Sequence, residues 1–199
     1  MIEEIIIATG NRHKVSEIKD ILKDLDIKIT PMTDFPDYPR IVEDGKTLEE
    51  NAAKKAREAA LFFKKWAIAD DTGLEVPYLN GEPGIFSARY AGIGCTYEDN
   101  NKKLLSALKD APPDKRSAVF RCAIAISSPE GETVFAQGRI FGIISEHAAG
   151  NKGFGYDPIF FIPQQNKTFA ELEEDLKNKI SHRALALQKA KEIIKNLNK

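Results

Sequence analysis

The sequence predicts an α/β fold built on a mixed sheet, and three observations predict it. Short apolar runs alternate with stretches whose apolar residues recur every three to four positions. Helical stretches of crossover length separate the early strand-like runs. Two further runs, "SAVFRCAIAISS" and "ETVFAQGRIFGII", flank the turn "PEGE" and predict an antiparallel hairpin.

Each element has its own signal. Ile5, Ile6, Ile7 and Ala8 form a run of the kind buried on both faces of a sheet. Val15, Ile18, Ile21, Leu22 and Leu25 then follow helical spacing, so Thr9 to His13 is a strand-to-helix turn. Residues 30–46 are rich in proline and acid and predict a long irregular loop. Thr47 and Glu50 have capping-box spacing and open a helix to about Lys65. "WAIAD" predicts a short buried strand that ends as the glycine turn of "DTGL" begins. "YLNGEPG" carries an Asn-Gly turn signal, and Thr96 caps a helix to about Leu108. After the hairpin come the glycine-rich loop "NKGFGYDP" and a short strand "IFFIP". Helices over "TFAELEEDLKN" and "ISHRALALQKAKEIIKNLN" close the chain, the second capped by Ser181.

Composition narrows the function classes. The 199 residues fit one large domain or two closely joined lobes, and 42% hydrophobic residues supply a core. With 29 basic and 30 acidic residues the formal charge is −1, which argues against a general nucleic-acid or membrane surface. It leaves room for a local basic cleft. Cys95 and Cys122 have no metal-type spacing and read as reduced thiols of a cytoplasmic protein. The N-terminus has no signal-peptide pattern, and no apolar run has the length of a membrane span.

Four stretches could carry chemistry. The turn Thr9-Gly10-Asn11-Arg12-His13-Lys14 aims backbone N–H groups and a helix N-terminus at one spot, which suits an anion. Gly10 lets a ligand come close, and Lys14 adds a mobile charge. The plainer reading is an Asn-capped helix following a strand, since the spacing of a Walker A loop is absent. Asp70 and Asp71 stand at an expected strand end, where ligands of α/β sheets gather. Adjacent side chains on an extended backbone point opposite ways, so at most one of them faces a given site. Such a carboxylate can hold Mg²⁺ or take a proton from water; otherwise it caps a turn. Glu43 in "VEDG" could complete a metal site or be plain solvated charge, and Glu50 is assigned to helix capping. The loop "GFGYDP" offers an aromatic stacking face, or a plug over the core. His182 and Arg183 lie in the first turn of the last helix, where the macrodipole disfavours cations. An arginine placed there is needed for a ligand oxygen, or is an ordinary surface charge.

Six segments in order resemble the inosine triphosphate pyrophosphatases: "TGNRHK" (9–14), "VEDGKTLEENAAKKA" (42–56), "IADDTGL" (68–74), "GIFSARYAG" (84–92), "GFGYDPIFF" (153–161) and "ISHRALAL" (180–187). Thr72 stands where many relatives have serine and keeps the hydroxyl; Lys152 stands where glycine is common. The resemblance implies a single two-lobed domain over 1–199, with a long mixed sheet and the substrate in a cleft. It implies Mg²⁺-dependent hydrolysis of ITP, dITP and XTP to the monophosphate and pyrophosphate, by a homodimer. It assigns Thr9 to Lys14 and Lys55 to the phosphates, helped by Thr72. Glu43 and Asp71 go to Mg²⁺, and Asp71 also serves as base for water. The loop Phe154-Gly155-Tyr156-Asp157 goes to the base, with Phe154 stacking on it. Asp157, Lys177, His182 and Arg183 read the base edge. A Maf-like pyrophosphatase of other base preference and a non-catalytic nucleotide-binding module are the rival readings. An RNA-binding protein would want a basic face with interleaved aromatics.

Overall fold

The structure is a computed structural model and describes residues 1–39 and 41–198. Its elements in chain order are β1 (Glu4–Ile7), α1 (Arg12–Leu22), β2 (Lys28–Pro31), α2 (Leu48–Phe63), β3 (Trp66–Glu75), β4 (Pro83–Gly84), α3 (Tyr97–Ala107), β5 (Ser117–Ser127), β6 (Thr133–Ile144), β7 (Phe160–Ile162), β8 (Lys167–Thr168), α4 (Glu174–Ile180) and α5 (His182–Leu197). The strands form one sheet in the order β2-β1-β3-β5-β6-β7-β8, with β4 paired to β3. β1 runs parallel to β2 and β3, while β3–β4, β6–β7 and β7–β8 are antiparallel. The mixed α/β sheet expected from the sequence is therefore present. The chain divides into two compact units. The first holds residues 1–71, 122–138 and 182–199; the second holds 72–121 and 139–181.

In the first unit, Ile5, Ile7, Ile68, Ile124 and Ile126 of the strands pack with Ile18 and Leu22 of α1 and Leu187 and Ile194 of α5. Each fully buried Leu or Ile there contributes about 1.5–3 kcal/mol. The apolar stripe predicted for α1 is the one that packs, with Val15, Ile21 and Leu25 at its margin. In the second unit, Phe120, Phe160 and Phe169 form the centre, with ring centroids 4.6 Å (Phe120–Phe160) and 5.3 Å (Phe160–Phe169) apart.

The caps of α1, α2 and α3 hold as read, with one change. Asn11 caps α1, and Thr96 with Asp99 forms a full capping box on α3. Thr47 Oγ1 accepts from the Glu50 N–H at 3.0 Å, but the Glu50 carboxylate reaches one residue further back, to the Lys46 N–H at 2.6 Å. Three expectations are corrected. β3 does not end at Asp70: it runs ten residues, through both aspartates to Glu75. It outlasts its parallel partner β1, whose pairing stops at Ile68, and continues by pairing β4 at Leu74 and Glu75. Residues 168–178 are not one helix, since a 3₁₀ turn at Phe169–Glu171 precedes the short α4. Thr168 and Glu171 cap that turn reciprocally, and it buries Phe169 and Ala170. The stretch read as irregular from residue 30 starts with the end of β2 and a 3₁₀ turn at Met32–Asp34. Arg40 within it lies outside the described residues.

Candidate active site

The first unit assembles a charged cluster from α1, the loop before α2, α2 itself, β3 and α5. Lys55 stands on the buried face of α2 and is 6% exposed. Its ammonium lies 2.9 Å from Glu43 Oε1 and 3.5 Å from Asp71 Oδ1, and it donates to the Asp70 carbonyl at 2.7 Å. Burial alone would lower the Lys55 pKa, but Asp71, Asp70 and Glu43 outweigh it and raise it, so the ammonium stays charged. Asn51, one turn earlier on α2 and 1% exposed, donates from Nδ2 to Asp71 Oδ2 at 3.1 Å. It also accepts from the Gly45 N–H at 2.8 Å.

Asp70 and Asp71 face different partners, as alternation along a strand requires. Asp70 is fully buried, and its Oδ2 accepts from Lys14 Nζ at 2.9 Å and Arg183 Nε at 3.0 Å. The other end of Arg183 is ion-paired with Glu17 of α1. Burial pushes the Asp70 pKa up, but Lys14, Arg183 and Lys55 more than reverse it and hold the carboxyl well below the usual range. Asp71, 8% exposed, goes the other way. Burial raises its pKa, Glu43 adds to the rise, and Lys55 and Lys14 only partly offset it. Two neighbouring carboxylates thus have opposite proton affinities. Asp70 is locked as a counter-ion, while Asp71 is the better proton acceptor.

At the turn before α1, the Asn11 side chain accepts from the His13 N–H at 3.0 Å and the Lys14 N–H at 3.5 Å. Thr9 Oγ1 accepts from the Asn11 N–H at 3.3 Å. Arg12 and His13 are exposed on the first turn. Of the two readings of this turn, the Asn-capped helix is present. Gly10 has no left-handed φ, and a Cβ there would meet only Met32 Cε, at 3.8 Å. Nothing among the described residues therefore demands glycine at that position.

The residues expected at the base divide between the units: His182 and Arg183 belong to the first, Phe154 to Asp157 and Lys177 to the second. In the second unit, Asp157 Oδ2 accepts from the Phe154 N–H at 2.8 Å and from Lys177 Nζ at 2.7 Å. That ammonium also sits 4.8 Å above the Phe154 ring. Gly153 has φ +73°, and a Cβ there would fall 2.1 Å from Asp157 Oδ2, so the turn needs glycine. The Gly155 carbonyl accepts from Asn101 Nδ2 at 3.1 Å. The Tyr156 side chain turns inward. Its ring is buried at 4% exposure beside Phe120, and its hydroxyl donates to the Ser87 carbonyl at 2.9 Å. A buried phenol must spend its O–H internally, so its side chain serves the core. Arg183 is held within the first unit. Its Nε and one terminal nitrogen are turned to Asp70 and Glu17, because a guanidinium buried at 2% exposure requires counter-ions. His182, at 4% exposure, is buried beside it in the chain. Thr72 follows Asp71 on β3 and is half-buried.

Sequence reasoning missed Glu17 and Asn51. Glu17 had a signal: it precedes Ile18 on the apolar side of α1, where a carboxylate needs a partner. Asn51 had one too, since it and Lys55 are an i, i+4 polar pair on a face otherwise made of Leu48, Ala52, Ala56, Ala59 and Ala60.

Glu43 and Asp71 converge on one cation, the Lys55 ammonium, so their oxygens already share a locus for positive charge. Among the described residues no group of three or more His, Cys, Asp or Glu side chains could hold a metal. Two carboxylates with no full protein cage fit Mg²⁺, which keeps waters and takes phosphate oxygens as its remaining ligands.

Fold and site together define a class: an α/β protein with an acid pair and convergent lysines suited to metal-assisted chemistry on a phosphate ester or anhydride. The chain belongs to the Ham1 family, whose model matches residues 5–193. A dITP/XTP pyrophosphatase of Clostridium perfringens (strain 13 / Type A) is 47% identical over 203 residues, covering 99% of this chain and 100% of the relative. The structure of a HAM1 protein from Coxiella burnetii superposes with a TM-score of 0.90 at 41% identity, covering 98% of this chain and 100% of that one. The Staphylococcus aureus Ham1 protein does so with a TM-score of 0.87 at 42% identity, covering 97% and 98%.

Proposed function

We propose that this protein hydrolyses the α–β phosphoanhydride of deaminated purine nucleoside triphosphates, namely ITP, dITP and XTP, and releases the monophosphate and pyrophosphate. The observation that carries the reading is the Asp71 environment. A strand carboxylate of raised pKa is held between an amide donor and an ammonium, 3.5 Å from a lysine shared with Glu43. The name borne by the similar protein of Clostridium perfringens supplies the substrate class. Glu43 and Asp71 would hold Mg²⁺, and the ion when bound neutralises charge on the phosphates. Asp71 accepts a proton from the attacking water. Lys14 and Lys55 add positive charge where the triphosphate lies, and Gly10, demanded by nothing among the described residues, leaves the turn open to its oxygens. Phe154 stacks on the base, and Asp157 with Lys177 holds the loop that presents it. The same reading includes a homodimer in the cytoplasm. No helix among the described residues is long and apolar enough to cross a membrane.

The test is an end-product assay with dITP, XTP, dGTP and dATP, each with Mg²⁺ and with EDTA. Pyrophosphate and monophosphate should appear from dITP and XTP, and vanish with EDTA. Release of orthophosphate, or equal rates on all four nucleotides, would overturn the reading. Light scattering during size-exclusion chromatography decides between dimer and monomer.

A further inference from the structure

We propose that Asn51 is a positioning residue: its carboxamide ties the loop carrying Glu43 to the strand carrying Asp71, and so sets the acid pair before metal and substrate arrive. This inference rests on the proposed phosphohydrolase reading of the site. The geometry is a two-sided bridge. Oδ1 accepts from the Gly45 N–H at 2.8 Å, two residues beyond Glu43, and Nδ2 donates to Asp71 Oδ2 at 3.1 Å. Only one amide orientation serves both partners. Reversed, it would set donor against donor at Gly45 and oxygen against carboxylate at Asp71.

The bridge fixes the rotation of Asp71. One carboxylate oxygen is anchored by Asn51, while the other faces Lys55 and, through it, Glu43. Asn51 and Lys55 are one turn apart on α2, so a single rigid helix grips both oxygens. The loop is drawn in tightly: a Cβ on Gly45 would fall 2.7 Å from Asn51 Oδ1 and 2.8 Å from Glu50 Cβ. A second tether lies beside it, the Glu50 carboxylate on the Lys46 N–H. An ionised aspartate of the same size only accepts, and leucine does neither.

Two variants separate the halves of the bridge. Asn51→Asp, studied at pH 8, keeps an acceptor for Gly45 but sets a like charge against Asp71. Asn51→Ala removes both contacts and cannot clash, so it carries the test if Asn51→Asp does not fold. Four readouts are needed: Gly45 amide exchange by NMR, Mn²⁺ binding by calorimetry without nucleotide, and kcat and KM for dITP. In Asn51→Ala, Gly45 should exchange faster and Mn²⁺ binding should weaken about 10–100-fold, the range for residues that orient metal ligands. In Asn51→Asp, Gly45 should stay protected while kcat falls by a similar factor and KM changes by less than about threefold. A merely structural role would lower the melting temperature without that split. Wild-type Mn²⁺ affinity and kcat in both variants overturns the proposal. If the wild type fails to hydrolyse dITP while Asn51→Ala still frees Gly45 and weakens Mn²⁺ binding, the substrate reading fails and the bridge stands.

Discussion

The first unit buries its charges as a mesh, the second as a pair. In the first, Glu17 of α1, Lys55 of α2, Asp70 and Asp71 of β3 and Arg183 of α5 are each at most 8% exposed. They come from four elements, and Arg183 meets Asp70 across 113 positions of sequence. In the second, Asp157 and Lys177 lie 20 positions apart, on the 3₁₀ turn Asp157–Ile159 and on α4. Arg116, also buried there, needs no carboxylate: it donates to the carbonyls of Leu108, Ile144 and Ser145. A pair can only be made or broken. A mesh lets one member set the state of another, so that neighbouring aspartates acquire opposite proton affinities. That asymmetry is what a hydrolytic site needs, and the second unit has no counterpart to it among the described residues.

Breaking the mesh at its centre should cost most. Arg183→Ala leaves Glu17 and Asp70 buried without their guanidinium, which costs about 3–5 kcal/mol. For a chain of this size the melting temperature should fall by roughly 6–20 °C. A fall under about 2 °C, with dITP-over-dATP selectivity lost instead, would make Arg183 a base reader and not a structural ion. Asp71→Asn sharpens the contrast within the mesh. It should cut turnover by at least ~10²-fold, the low end for losing a general base. Its melting temperature should hold, because a carboxylate of raised pKa is not a source of folding stability above that pKa. Near-normal turnover in Asp71→Asn beside an inactive Asp70→Asn would exchange their roles.

Asp157→Asn breaks the pair of the second unit. The amide oxygen can still accept from the Phe154 N–H, but Lys177 loses its counter-charge at a cost of about 1–3 kcal/mol. Calorimetric unfolding checks this, and a cost above that of Arg183→Ala would reverse the comparison. The smallest effect belongs to the ion pairs around Glu4 on β1 of the first unit. Lys65, Thr30 and Lys28 together hold Glu4 at about 2, below its ordinary 4.5. That stability is present above about 4.5 and is lost as pH falls through about 2. Because both lysines are substantially exposed, Glu4→Gln should flatten the acid limb of stability against pH by no more than about 1 kcal/mol. Denaturant melts at pH 2, 3, 4 and 6 measure it; identical limbs would mean the pairs are fully screened.

The sequence by itself determined what depends on neighbours in the chain. The apolar stripe of α1, the caps at Asn11, Thr47 and Thr96, the Asn-Gly turn and the glycine loop before Asp157 are all short-range. Periodicity and capping act over three or four residues, so they can be read from a line of letters. The ordered motifs also placed Asp71, Glu43, Lys14 and Lys55 in one constellation. Only the tertiary structure decided how those charges are shared. β3 runs on past Asp71 as a neighbour of β5 in the sheet and pairs β4 at its end, a fact invisible in "DDTG". Tyr156 turned into the core because a neighbouring carbonyl, at Ser87, could take its hydroxyl. Arg183 is committed to Glu17 and Asp70, and Asn51 to Gly45 and Asp71, because a buried polar group must find its partners wherever the fold brings them. Those partners lie up to 166 positions away in the chain, and no local pattern encodes them.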